Sequence, residues 1–473
     1  MTAPTFSTIA VLLAGSLVAL WGGQRSRIVA LASMPVALAT LLIGSASSGG
    51  GWWSTDRVGV ILASVALVIG LCACRFAMVQ FAGERRGGAI MAASILVVAS
   101  VVATDLATNQ ATLIGAWVAT SLATIVLLVS GAGTWRAGVV RRAAVSFAIA
   151  DGILVAAVLG ATVAPGHIGL LTPLTSRSGL QGIAGAMVLS AAALAAIGRA
   201  GLSTRSSWVT ATVATPTSVS ALLHAGVVNA GALLLLRFEV ATGSRWWLAA
   251  ALGLVCAGTL LALAPRIHAR VDLKGQLAAS TVAQMAFMLL AVALGWPLLA
   301  LTHLVGHGLY KAGRFMASGG ATEARARLRR RAPRGMTIAR VPRLAGAIGL
   351  LLTAAIFGIA AGGDVLAAMG VFGPAAAVVW WTRTSKPIDG ALVSVAGLAG
   401  GLALYGGILV AASAMLGGSM PAGLLQAPWW SLGACVGLVA GLTASRRAAG
   451  RPTPSSVSQL TQQRTIQVEE VAA

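Results

Sequence analysis

Long apolar stretches alternate with short polar ones from the start of the chain to about position 446. The apolar runs are mostly about 17 to 25 residues long, enough for a helix to cross a hydrocarbon core of about 30 Å. Period-two alternation, the mark of a half-buried strand, is absent. The pattern predicts helices near 5 to 22, 27 to 47, 57 to 82, 89 to 108, 112 to 132, 143 to 163, 181 to 200, 216 to 237, 246 to 265, 273 to 294 and 296 to 317. After a basic stretch come apolar runs at 341 to 381, 389 to 416 and 424 to 446. Read as one broken helix, 341 to 381 gives fourteen spans; read as two short helices turning at Gly362, Gly363 and Asp364, it gives fifteen. The predicted fold is an all-α polytopic transmembrane bundle of about 14 to 15 helices, one unit over residues 1 to 450, followed by a disordered polar tail at 451 to 473. The first run, FSTIAVLLAGSLVALWGG, lacks a basic leader and a small-residue cleavage site, so it reads as a retained helix.

Composition leaves one solvent for such a chain. Of its 473 residues 58% are apolar and 9% charged, with a mean hydropathy of +0.89, whereas soluble domains carry about 25% charged residues. A water-soluble globule is excluded. The net charge of +22 is concentrated between apolar runs: QRSR at 24 to 27, GERRGG at 83 to 88, RAGVVRR at 136 to 142, RIHARVDLK at 266 to 274 and ARARLRRRAPRG at 324 to 335. Such clusters mark cytoplasmic loops and place the amino terminus of a plasma-membrane protein outside. Fifteen spans would also bring TRTSK at 382 to 386 and SRRAAGR at 445 to 451 inside, which favours that count. No aromatic-basic module accompanies the arginine run, so nucleic-acid binding is not expected. Cys72, Cys74, Cys256 and Cys435 lie in apolar runs without CxxC spacing and read as packed thiols. No quinone, NADH or metal-binding pattern is visible, so no cofactor is predicted.

The informative residues are ionisable groups inside apolar runs, because such groups are rare in membranes and usually face a bundle interior or a hydrated cavity. In LTHLVGHGLYKAG, His303, His307 and Lys311 recur at intervals of four and project from one helix face. Lysine occurs only at 274, 311 and 386, all other basic residues being arginine. A buried lysine can release a proton where an arginine keeps it. The alternative is a pair of core histidines and a lysine reaching to the interface. In ATPTSVSALLHAGVVNAGALLLL, Ser220 and His224 share a face, Pro216 suits a first turn and Thr215 is a candidate cap. Arg199 closes an apolar run with Arg205 just beyond; from composition they read as an interfacial anchor pair. Asp151, deep in its run, requires a basic partner or a proton, and Arg142 on the same helix is too distant to serve. In VDLKGQLAASTVAQMAF, Asp272 is a candidate cap, Lys274 stands in the first turn, and Ser280, Thr281 and Gln284 continue a polar face. Lys274 either belongs to an internal path or reaches the cytoplasmic surface.

Together these stretches resemble the antiporter-like proton-translocating membrane subunits of NADH:quinone oxidoreductase, Mrp-type antiporters and membrane-bound hydrogenases, above all the largest such subunit. Residues 198 to 236 resemble the family segment ending P-T-P-V-S-A-L-I-H-A, residues 272 to 288 its D-I-K-x-x-L-A-Y-S-T-x-S-Q-x-G-Y-M, and residues 303 to 319 its H-L-x-x-H-x-x-F-K-A-x-L-F-x-x-x-G. The resemblance covers roughly 95 to 365. It implies two inverted repeats, each with a broken helix, and a central hydrated axis for protons. His224, Lys274, His303, His307 and Lys311 match axis or near-axis positions, and Asp151 matches a family aspartate; with Arg199 these are the candidate proton-translocation residues, and Ser220 and Asp364 are candidate accessories. The departures are Val118 for the family's glutamate after tryptophan, Arg199 for the first broken-helix lysine, and Gly362 or Gly363 followed by Asp364 where the second broken helix has S-K-D-E. The chain also ends soon after its last predicted helix, without a long lateral arm.

These departures resemble most a shorter relative, the membrane partner of the two-component inorganic-carbon accumulation system. That resemblance implies a cytoplasmic zinc-containing, carbonic-anhydrase-like partner, for which the 324 to 343 stretch offers a docking surface unless its role is topogenic alone. Three functions stay open at this point. The first is a proton-conducting subunit that energises carbon uptake. The second is an antiporter-like subunit of a redox-driven pump, hydrogenase or cation antiporter complex, and the third a structural subunit that conducts nothing. No catalytic site of its own is visible.

Overall fold

The computed structural model describes residues 3–319, apart from residue 22 and residues 48–56, 132–135, 165–167, 172–173, 175–181, 203–206, 239–245 and 270–271. The predicted runs at 341 to 381, 389 to 416 and 424 to 446, with Asp364, the 324 to 335 cluster and the polar tail, lie outside the described residues; so do Arg205 and Cys435.

Every regular element among the described residues is helical. In order they are α1 (Ala3–Ala19), α2 (Gln24–Ser47), α3 (Arg57–Gln80), α4 (Gly87–Asp105), α5 (Gln110–Ser130), α6 (Arg136–Val163), α7 (Ile183–Ala200), α8 (Trp208–Ala211), α9 (Thr217–Ala225), α10 (Ala230–Arg237), α11 (Trp246–Ala269), α12 (Leu273–Ala293) and α13 (Pro297–Ser318). Nine stretches among them, counting α9 and α10 as one, are long and apolar enough to cross a membrane. The hydropathy pattern anticipates the long helices within a few residues, while the short α8 falls between the predicted runs at 181 to 200 and 216 to 237. One difference is RAGVVRR at 136 to 142, expected as a loop. It forms the first turns of α6, because arginine is a good helix former and no proline interrupts it.

The other difference is a break inside the predicted helix at 216 to 237. α9 ends at Ala225, and a 3-10 turn at Val227–Asn229 leads into α10. Asn229 N–H bonds the Gly226 carbonyl three residues back at 3.1 Å, so it does not take the Ala225 carbonyl as a continuous α-helix would. A Cβ on Gly226 would stand 2.9 Å from the Leu222 carbonyl oxygen, so glycine suits this bend.

Burial orders the bundle. α4 and the α9–α10 pair are the most enclosed spans, while α2, α6 and α11 turn large apolar side chains such as Ile43, Ile149 and Leu254 outward, as lipid-facing helices do. α9 packs against α3 and α13, and α12 against α11 and α13. Two of the predicted basic loops meet at one end of the bundle. Arg27, buried, donates to the carbonyls of Phe81 at 3.0 Å and Glu84 at 2.8 Å, satisfying acceptors just past the end of α3.

Candidate functional site

α13 assembles the largest group of ionisable side chains. Residues four apart on a helix advance about 40° past a full turn, and His303, His307, Lys311 and then Phe315 follow that spacing. His307, Lys311 and Phe315 are buried and His303 half-buried, while Leu309 and Tyr310 on the other side are exposed. Lys311 is 1% exposed. An ammonium so enclosed is costly unless bonded, and Nζ donates to the Leu277 carbonyl at 2.9 Å and to Ser280 Oγ at 2.5 Å, both on α12. Lys311 therefore does not reach toward an interface.

Farther along the face, His307 Nδ1 lies 3.3 Å from Asn229 Oδ1. The rings of His307 and His303 are nearly parallel with centroids 6.3 Å apart, and His303 packs edge-on to Phe287 at 4.9 Å. The Lys311–Ser280 and His303–Phe287 contacts set an antiparallel register between α13 and α12 that puts Gln284 level with His307. Four buried polar atoms of this region, His303 Nε2, His307 Nε2, Gln284 Oε1 and Thr302 Oγ1, find no hydrogen-bond partner among the described residues. Buried polar atoms in folded proteins are normally bonded to protein or ordered water. The face is thus polar where its surroundings are apolar.

His224 occupies the last turn of α9, fully buried, and its ring stacks on Phe315 at 4.4 Å. Its Nε2 lies 3.0 Å from Thr212 Oγ1. Ser220 and His224 do share a side of α9, yet they meet the preceding turn rather than each other. Ser220 Oγ is 2.8 Å from Thr215 Oγ1, whose hydroxyl donates to the Thr212 carbonyl at 2.7 Å. Those bonds occupy Thr215, which does not cap α9. That role falls to α3, where Gln80 Oε1 accepts from Ser218 N–H at 3.1 Å and Ser218 Oγ at 2.8 Å. Lys274, half-buried, donates to the Thr215 carbonyl at 2.8 Å. Asp272 does cap α12, accepting from Gly275 N–H at 2.5 Å. From Lys274 the polar groups run through the 212 to 215 turn to His224, and beside it Lys311, His307 and His303 follow along α13.

The interfacial reading of Arg199 is overturned. Arg199 is fully buried, and its Nη2 lies 3.1 Å from Asp151 Oδ1, 2.6 Å from Ser121 Oγ and 3.2 Å from the Trp117 carbonyl. The guanidinium lies over the rings of Trp117 at 4.2 Å and Phe147 at 4.7 Å. Trp117 Nε1 also donates to Asp151 Oδ1 at 2.7 Å. A charge in so apolar a place needs a counter-charge, and Asp151 supplies it from α6. Asp151 is the carboxylate on Arg199. The ion pair connects indirectly to the histidines: Phe147 meets Trp208 edge-on at 4.9 Å, Trp208 opens α8, and the helical path leads to Thr212 against His224.

Several residues of the site escape the sequence reading. Asn229, Thr212 and Phe315 each touch a candidate group. A buried amide within an apolar run was the available signal for Asn229, whereas the others are ordinary in a membrane helix. Beside Asn229 lies a cavity of about 20 Å³ bordered by Gly226, Leu304, Thr104 and Asp105, room for about one water. Arg237 donates to the Asp105 backbone carbonyl at its edge. No three His, Cys, Asp or Glu side chains among the described residues gather at metal-binding range.

Residues 103–384 match the transmembrane family described as NADH:quinone oxidoreductase/Mrp antiporter. Curated relatives include the probable inorganic carbon transporter subunit DabB of Hydrogenovibrio crunogenus, 30% identical over 59% of this chain and 54% of that protein. Another is the probable inorganic carbon transporter subunit DabB2 of Halothiobacillus neapolitanus, 44% identical over 24% of this chain and 21% of that protein. NADH-ubiquinone oxidoreductase chain 5 of Lumbricus terrestris is 38% identical over 24% and 20%. The chain thus spans about half or less of the length of these relatives. Among solved structures, the Mrp complex of Dietzia sp. DQ12-45-1b aligns with a TM-score of 0.58 at 22% identity, over 94% of this chain and 52% of that one. The archaeal membrane-bound sulfane sulfur reductase aligns at 0.56 and 15% identity, over 92% and 74%. These two neighbours share the fold. With more than half of its length matching the family, and its family-like motifs lying on α9, α12 and α13, this chain is a multi-pass membrane protein that belongs to the NADH:quinone oxidoreductase/Mrp antiporter transmembrane family.

Proposed function

We propose that the chain is a proton-conducting subunit of the plasma membrane, amino terminus outside, in which protonation passes among Lys274, His224, Lys311, His307 and His303. In this reading it energises inorganic carbon uptake by a cytoplasmic zinc-containing partner that resembles a carbonic anhydrase. The observation that carries the relay is the convergence of five titratable side chains from α9, α12 and α13 on one polar seam, with orphaned nitrogens along it. From 303 to 311 the α13 face rises about 12 Å, so the seam runs through a substantial part of a core of about 30 Å. The names of the DabB relatives support the carbon-uptake half of the reading. Arg199 and Asp151 form a fixed charge pair beside the relay rather than a member of it, since a guanidinium does not give up its proton.

The test is carbon-limited growth of cells whose only copy carries Lys311→Leu or His307→Leu, with membrane levels of the protein checked. Growth lost at normal protein level supports the proposal, and unchanged growth refutes it. Purification of the wild-type complex separates the alternatives. A large zinc protein as companion supports carbon uptake, and respiratory or antiporter subunits support the second reading, which the name of the NADH-ubiquinone oxidoreductase relative favours.

A further inference from the structure

Asn229 stands where the helix break, the small cavity and the histidine row meet. Its Nδ2 donates to the Ala225 carbonyl at 2.7 Å. That carbonyl is the acceptor which the 3-10 turn leaves unused, because Asn229 N–H turns to Gly226 instead. A carbonyl oxygen only accepts, so the amide NH₂ must face Ala225 and the amide oxygen must face His307. The approach of α13 is close enough for this contact because Gly308 carries no side chain. A Cβ there would stand 3.1 Å from the Ala225 oxygen and 3.4 Å from Asn229 Nδ2. His307, one residue before, is thereby set with Nδ1 at 3.3 Å from Asn229 Oδ1.

We propose that Asn229, anchored by the break at Gly226, is a positioning residue that holds neutral His307 in the Nδ1–H tautomer, so that protons enter and leave its ring at Nε2. An amide oxygen accepts a hydrogen bond but does not act as a base here, so Nδ1 keeps its proton through a transfer cycle. A proton arriving at the Nε2 lone pair gives an imidazolium with both N–H bonds, and its departure from Nε2 restores the starting tautomer. Nε2 is the nitrogen without a partner among the described residues, level with the equally unpartnered Gln284 Oε1. His307 is therefore a branch point that passes protons on the Nε2 side of its ring, not a wire that takes them in at one nitrogen and releases them at the other. The inference rests on the proton-relay reading above for its purpose, though not for its geometry.

The experiment is nitrogen-15 NMR of the full chain, ring-labelled at histidine, in liposomes of neutral and anionic phospholipid. A His307→Gln sample identifies the His307 signals, and proton flux is measured on the same preparations. The wild type is expected to show protonated Nδ1 and bare Nε2. N229V is expected to mix the tautomers and lower flux by about tenfold or more, the scale of loss when a group that orients a functional imidazole is removed. N229D, which keeps an oxygen facing the ring but loses the donor to Ala225, is expected to retain Nδ1–H, and the wild-type spectrum decides the tautomer even where N229V fails to fold. A wild-type ring protonated at Nε2, or an N229V spectrum identical to wild type, overturns the inference. Nδ1–H in a wild type that conducts no protons supports the tautomer assignment while removing the transport reading.

Discussion

Arg199 and Asp151 form an ion pair 3.1 Å long between α7 and α6, closed over by the rings of Trp117 and Phe147. Burying either charge alone costs far more than burying the pair, so truncating one partner of a buried ion pair costs about 3–5 kcal/mol. Asp151→Ala is expected to destabilise the bundle by that amount, read as lowered thermal stability in detergent. The double variant Arg199→Met with Asp151→Leu, which removes both charges and keeps apolar volume, is expected to recover most of the loss. If the single and double variants are equally unstable, the pair is not what holds α6 to α7.

Lys311 separates charge from proton exchange. Its ammonium is held by the Leu277 carbonyl and Ser280 Oγ, both acceptors that a guanidinium can also use. Lys311→Arg keeps the positive charge but removes the ability to release a proton. Flux into proteoliposomes is expected to fall by about a hundredfold, the order contributed by one positioned proton-transfer group. Near-normal flux would mean that Lys311 supplies electrostatics or packing only.

These two lysine and arginine sites differ in how far the sequence disclosed them. Helix positions were legible because lipid demands long apolar runs with internally bonded backbone, and the stripe His303, His307, Lys311 was legible because four-residue spacing is a one-face signal. Arg199 was not. At the end of an apolar run an arginine has the same local pattern whether it reaches water or turns inward, and only Asp151, 48 residues earlier, decides between them. The break at Gly226 was hidden for a related reason. Glycine is common in membrane helices for packing, so it identifies no break by itself, and Asn229 acquires its role only once Ala225 and His307 are brought beside it.

Gly308 is a point of close approach between α13 and α9. A methyl there would meet the Ala225 oxygen and Ile69 Cδ1, each at 3.1 Å, tighter than ordinary contact. Gly308→Ala is expected to cost about 1–3 kcal/mol as an overpacked core position, less any helix-propensity gain of about 1 kcal/mol. Gly308→Leu is expected to push the helices apart and abolish proton flux. Thermal stability together with flux checks both; a Gly308→Leu protein with full flux would show that the α9–α13 spacing is not needed.

Thr212 is the bonded neighbour of His224, and its part can be isolated by isosteres. Its hydroxyl donates to the Val209 carbonyl at 2.7 Å, leaving its oxygen to accept from His224 Nε2 at 3.0 Å. Thr212→Val keeps the shape and deletes the acceptor, stranding a buried N–H at a cost of about 1–3 kcal/mol. The ring remains stacked on Phe315, so the expected effect is on its protonation and tautomer more than on its place. Flux is expected to fall about tenfold, on the scale of losing an imidazole's orienting partner, and Thr212→Ser, which restores the oxygen, is expected to recover it. Equal flux in the valine and serine variants would exclude His224 from the relay or show that Thr212 does not orient it, and His224→Phe, which preserves the stack, separates those two: flux unaffected by that change removes His224 from the path.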